Sequence, residues 1–118
     1  MGSPLLDRSL EFASQVVLFY EDYTKSKKDT TISKQLLRSA TSIGANIREA
    51  KYAHGKADFI AKLQIALKEC YETEYWIEIA QKANIVSEET VKTLLHGCGA
   101  IRRMLIASIN TSKESSRG

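Results

Sequence analysis

Between residues 59 and 80 the apolar and small residues Phe59, Leu63, Ala66, Cys70, Thr73, Ile77 and Ala80 recur at alternating intervals of four and three. A strand alternates every second residue, so it cannot use this pattern; a helix in a left-handed bundle uses it as its seam. Once one long helix carries such a seam, partner helices must supply the opposite wall. The chain contains them. The first segment places Leu6, Leu10, Ala13, Val17 and Tyr20 on one stripe, widened by a parallel row of Phe12, Val16, Phe19 and Tyr23. The second places Ile32, Leu36, Ala40, Ile43, Ile47 and Ala50 on one face, and the fourth Val91, Leu94, Cys98, Ile101, Leu105 and Ser108.

The boundaries are equally legible. Proline occurs once, at Pro4, so nothing later in the chain forces a helix to break. The polar run "TKSKKDTT" separates the first two segments, with Thr30 or Thr31 available as a cap. The second segment is expected to reach about His54 and stop at Gly55. "KANIVS" interrupts the third, and Ser87 with Glu88 and Glu89 behind it opens the fourth. Long helices with short connections predict an all-α, antiparallel up-down-up-down four-helix bundle over residues 5–112. Residues 1–4 and 113–118 are expected to be disordered or vector-derived ends.

A chain of 118 residues suffices for one core, and 43% hydrophobic with 26% charged residues is ordinary for a soluble globular protein. No apolar run approaches the roughly 20 residues of a membrane span, and no secretory leader precedes the first segment, so a cytoplasmic location is expected. Cys70 and Cys98 lack metal or redox spacing and read as small apolar filler. The net charge of +3 does not by itself imply nucleic acid, but it is unevenly spread. The first segment sets Arg8 against Asp7, Glu11, Glu21 and Asp22, whereas the second sets Lys34, Arg38, Arg48 and Lys51 against Glu49. That opposition favours an antiparallel pair, with the lysines of the first loop at its tip.

Two helix faces carry more than a solitary bundle needs. Rotation by 100° per residue puts Ile60, Leu67, Tyr71, Tyr75 and Ile79 away from the third seam, with Trp76 on its flank. Such a row marks an association surface, so the bundle is expected to be a homo-oligomer. On the second helix Arg38, Ser42, Asn46 and Glu49 line one edge, and Ser39, Ser42, Gly44 and Ala45 keep the adjoining wall low. This edge reads as a polar, low-relief contact against the third helix or against a second subunit, with Arg38 pairing to Glu49, Glu72 or Glu74.

Catalytic chemistry is not suggested. A bundle-core di-iron site needs Glu-x-x-His, but Lys51 and Thr93 precede His54 and His96 by three residues. Both cysteines fall on seams, away from any nucleophilic arrangement, and "GANIREA" lacks the Gly-Lys-Ser/Thr of a phosphate loop. Glu69, Glu72 and Glu74 suit a salt-bridged face better than acid–base work. No cofactor or metal is expected. Lys27, Lys28, Arg48, Lys51, Arg102 and Arg103 are the candidates for phosphate contact.

The stretches "QLLRSATSIGANIREA" and "DFIAKLQIALKECYETEYW" resemble the bacterial four-helix-bundle family encoded in intervening sequences of ribosomal RNA genes, often labelled ribosomal-protein-like. Leu37, Arg38, Ser42, Ile43, Asn46, Ile47 and Glu49 carry the first motif; Phe59, Leu63, Ile65, Ala66, Glu72 and Glu74 carry the second. Many members follow the first motif with glycine and then a basic residue, where this chain has Ala50 and Lys51. The resemblance implies a homo-oligomer, with ring-shaped pentamers among the relatives. It also brings in a similar protein, the accessory variability determinant of diversity-generating retroelements, a basic pentamer that binds nucleic acid and a reverse transcriptase. It implies no catalytic residues. Together these readings give a non-enzymatic homo-oligomer that meets RNA, DNA or a nucleic-acid-handling protein. The alternative is a structural protein–protein interaction module with no nucleic-acid role. Arg38, Ser42, Gly44, Asn46, Glu49 and Glu72 would organise packing or the interface, and Tyr71, Tyr75 and Trp76 would anchor association.

Overall fold

The computed structural model describes residues 3–26 and 30–117, except for the side chains of residues 116 and 117. Four helices run α1 (Pro4–Ser26), α2 (Thr31–Lys51), α3 (Lys56–Lys82) and α4 (Glu88–Arg117). Each packs on its two neighbours in the cycle, α1 on α2 and α4, α3 on α2 and α4, as an antiparallel up-down bundle requires. The resulting rod measures 53 × 23 × 22 Å.

The helix ends have local causes. Ser3 caps α1: its Oγ accepts from the Leu6 N–H at 3.4 Å, and Pro4 takes the first helical position, where a missing N–H is harmless. Ser87 caps α4, accepting from the Thr90 N–H at 3.1 Å. The α3 terminus is a Schellman motif: Ile85 N–H bonds the Ala80 carbonyl and Asn84 N–H the Gln81 carbonyl, both at 3.1 Å. Asn84 there adopts φ 56°, a left-handed conformation asparagine tolerates.

Three expectations about boundaries are corrected. Pro4 opens α1 and Ser3 caps it, where a disordered end was expected. The helix α4 continues through residues 113–117, where the Lys56 ammonium at the start of α3 donates to Ser115 Oγ. The second helix stops at Lys51, and Gly55, expected to terminate it, is the N-cap of α3 with extended backbone. The residues between are drawn into the turn instead, His54 N–H donating to Asp58 Oδ2 at 3.2 Å.

Val16, Leu36, Ile43, Leu63, Ile77, Ile101 and Leu105 fill the centre, with Cys70 and Cys98 buried beside them. Cys98 Sγ donates to the Cys70 carbonyl at 3.5 Å; hydrogen bonding with Cys70, then burial, hold its thiol neutral by pushing its pKa up. Small residues fix the approach of α1. A Cβ on Gly44 would sit 3.4 Å from Ser9 Oγ, and one on Gly97 only 3.0 Å from Phe12 Cδ1. Turning Ser9 toward α2 and Phe12 toward α4 decides which α1 row is core. Leu5, Ser9, Phe12 and Val16 are buried, while Leu10 and Val17 of the expected primary stripe are 59% and 37% exposed. Leu10 and Val17 therefore turn outward while Leu6, Ala13 and Tyr20 are half-buried, and the parallel row supplies the buried Phe12 and Val16.

Candidate functional site

The polar edge of α2 faces α3. The Arg38 guanidinium pairs with Glu72 and lies 3.9 Å from Glu69, and Lys62 of α3 reaches Glu49 at 3.3 Å. Trp76 Nε1 donates to the same Glu72 oxygen at 3.4 Å. Ser42 and Asn46 direct their donors along their own helix, to the carbonyls of Arg38 and Ser42, each at 2.8 Å. Arg38 and Glu49 of α2 are thus joined to Glu69, Glu72 and Lys62 of α3, Trp76 supports Glu72 from within α3, and Glu74 turns the other way to bind Arg102 of α4 at 3.2 Å. Gly44 departs from its expected place. It lies on the opposite edge of α2, against Ser9 of α1, because α3 already fills the other side.

Glu69 lies within this edge. Burial first, then the neighbouring Glu72 charge, raise its pKa above the ordinary carboxylate value, and Arg38 pulls it partly back. Its Oε1 is buried without a hydrogen-bond partner. A half-screened carboxylate wedged beside a second one, with a guanidinium in front, fits ion-pair packing; it presents no cavity for a substrate.

The back of α3 is less bare than its sequence implies. Ile60, Leu67 and Trp76 pack partly against the core, and Ile79 is half-buried, because α2 and α4 wrap both flanks of this helix. Tyr71 and Tyr75 remain 52% and 57% exposed. On α1, Leu10 and Leu18 are more exposed still, and Leu6, Leu10 and Ala13 border a groove of about 220 Å³ completed by Thr41, Gly44, Ala45 and Arg48 of α2. Helices α1 and α3 occupy opposite corners of the bundle, so two unlike apolar surfaces face away from each other.

The phosphate candidates separate. Arg102 is tied to Glu74, and Arg103 folds its Nη1 back over Gly99 on α4. Lys27 and Lys28 lie outside the described residues. Arg48 and Lys51 are exposed in the last turn of α2, at the end of the rod that also holds the start of α3 and the end of α4. Leu5, Lys51, Phe59 and Ser108 line one cavity there, which places all four helices at this end. Lys56 and Lys113 join them, and among the described residues none of these four cations lies within ion-pair distance of a carboxylate. The opposite end mixes Glu21, Asp22, Glu78, Glu88 and Glu89 with Lys25, Lys34 and Lys82. Tyr52, exposed at the basic end, was missed by sequence reasoning because the helix was carried through to His54; an aromatic beside a basic last turn was the available signal.

A cleft of about 720 Å³ between α1 and α4 mixes Arg8 and Lys92 with Glu11, Gln15 and His96, so it favours no charge class. Among the described residues, no helix is long and apolar enough to cross a membrane.

Residues 4–107 match the family described as 23S rRNA-intervening sequence protein. The chain belongs to that family. A solved relative of this intervening sequence protein is a protein of unknown function from the S23 ribosomal protein family of Bacteroides thetaiotaomicron. It is 46% identical with a TM-score of 0.86, over 89% of this chain and 97% of that one. No curated protein matches the sequence. Neither the family description nor that of the solved relative names an enzymatic activity.

Proposed function

We propose that this intervening sequence protein is a non-enzymatic, cytoplasmic homo-oligomer that presents basic surfaces to nucleic acid. The observation that carries it is the pair of unlike apolar surfaces on opposite corners: Leu10 and Leu18 of α1 are 59% and 67% exposed, and Tyr71 and Tyr75 of α3 are 52% and 57% exposed. A single copy cannot bury both, and water is a poor neighbour for either. Because the surfaces differ, joining one to the other is head-to-tail, and head-to-tail contacts give a ring where the rotation between copies closes. In a ring the basic ends of successive copies repeat, so weak phosphate contacts accumulate.

Light scattering of the purified chain tests the assembly: a mass at least twice the 13.2 kDa of one chain is expected, and 13.2 kDa itself would overturn it. RNA binding measured across salt tests the partner. Binding that weakens steeply with added salt supports nucleic acid; no binding at low salt leaves a protein–protein module.

A further inference from the structure

We propose that the α2–α3 end of the bundle binds single-stranded nucleic acid, with Tyr52 as the platform on which a base stacks and Arg48, Lys51 and Lys56 as its phosphate contacts. The proposal rests on the nucleic-acid reading above and narrows it to a strand class and a site.

Tyr52 is 72% exposed, more than any other large apolar side chain in the described chain. It stands apart from the apolar surfaces of α1 and α3; Arg48, Lys51 and Lys56 lie at this end with it, while the nearby carboxylates are engaged, Glu49 by Lys62 and Asp58 by the His54 N–H. The Lys51 ammonium lies 5.9 Å from the ring centroid, so the ring face already sits in a positive field. The platform is held in place. Tyr52 N–H bonds the Glu49 carbonyl and Ala53 N–H the Ala50 carbonyl, both at 3.1 Å, and Asp58 secures His54 beyond. A presented ring on a fixed turn loses little freedom when a partner covers it.

Cations alone would accept any polyanion. The ring discriminates. In a duplex the base faces are stacked on one another, leaving grooves and phosphates; an unpaired base offers its face to an aromatic ring. Phosphates flanking that base fall toward Arg48, Lys51 and Lys56. An acidic protein segment would satisfy the cations yet leave the ring without a function.

Fluorescence anisotropy with a labelled oligo-uridylate and a labelled RNA duplex tests this at low salt. Tyr52→Ala is expected to weaken oligo-uridylate binding roughly tenfold and to leave duplex binding unchanged, while Tyr52→Phe keeps both. The double reversal Arg48→Glu with Lys51→Glu is expected to weaken both probes. Circular dichroism of each variant, expected to match the parent because these side chains are exposed, separates binding from folding. Oligo-uridylate binding that survives Tyr52→Ala overturns the stacking site even if the charge reversal abolishes binding, and leaves the broader reading standing. If the parent protein binds neither probe, the nucleic-acid reading and this site fall together.

Discussion

The hydroxyls of Thr73 and Ser39 meet 2.9 Å apart at the centre of the α2–α3 contact, and neither side chain reaches solvent. Each hydroxyl also faces a carbonyl of its own helix, Ser39 that of Leu36 at 3.3 Å and Thr73 that of Glu69 at 2.7 Å, so both protons have acceptors. Two polar positions that must coincide fix the register of these helices more sharply than the aliphatic contacts around them. Thr73→Val removes the buried hydroxyl that Ser39 meets and is expected to cost about 1 kcal/mol in denaturant unfolding. Adding Ser39→Ala should cost less than the two single effects combined. Strict additivity would mean that the hydroxyls are not coupled.

The two helix-packing glycines should respond in opposite directions. At Gly44 a Cβ makes ordinary contact with Ser9, so Gly44→Ala gains helix propensity, about 0.5–1 kcal/mol. At Gly97 a Cβ would meet the ring of Phe12, which is buried and cannot swing away, so Gly97→Ala is expected to cost about 1 kcal/mol net. Thermal unfolding of both variants checks the contrast, and a stabilised Gly97→Ala would contradict the close approach of α1 to α4.

How far the sequence reaches is visible in these same helices. The α3 seam was legible because its alternating spacing admits one rotation. Helix α1 carries two apolar rows of similar strength, and its rotation is set by Ser9 meeting Gly44 and Phe12 meeting Gly97, contacts between segments that a one-dimensional pattern does not contain. The α2 terminus was missed because Asp58, four residues beyond His54, pulls the chain into a turn. The cation candidates could be named from sequence, but only partners in space separate Arg102, neutralised by Glu74, from Arg48, which projects free at the end.

That separation predicts a double dissociation. Arg102→Ala removes a partly buried ion pair and should cost about 1 kcal/mol of stability with RNA affinity unchanged. Arg48→Ala should leave stability unchanged and weaken RNA binding while lowering its salt dependence. Unfolding and anisotropy on both variants read the two effects, and exchanged outcomes would contradict the assignment.

Glu69 gives the chain a pH signature. Its pKa is raised on folding, so between the unfolded and folded values the folded state holds more protons. The associated stability is fully present below the unfolded value and is lost as pH rises through the folded one. Glu69→Gln should flatten that decline and raise Tm at neutral pH, while Glu72→Gln, which weakens the Arg38 pair, should lower it. A parallel pH profile in Glu69→Gln would assign the titration elsewhere.

The central claim is that unlike faces of neighbouring copies meet. Leu10→Glu spoils the α1 surface and Tyr75→Glu the α3 surface, both at exposed positions where folding should survive. Each variant alone is expected to sediment as a 13.2 kDa monomer. An equimolar mixture retains one intact pair of surfaces and is expected to form a one-to-one dimer. Two variants that remain monomeric when mixed, or that assemble unaltered when separate, would contradict it.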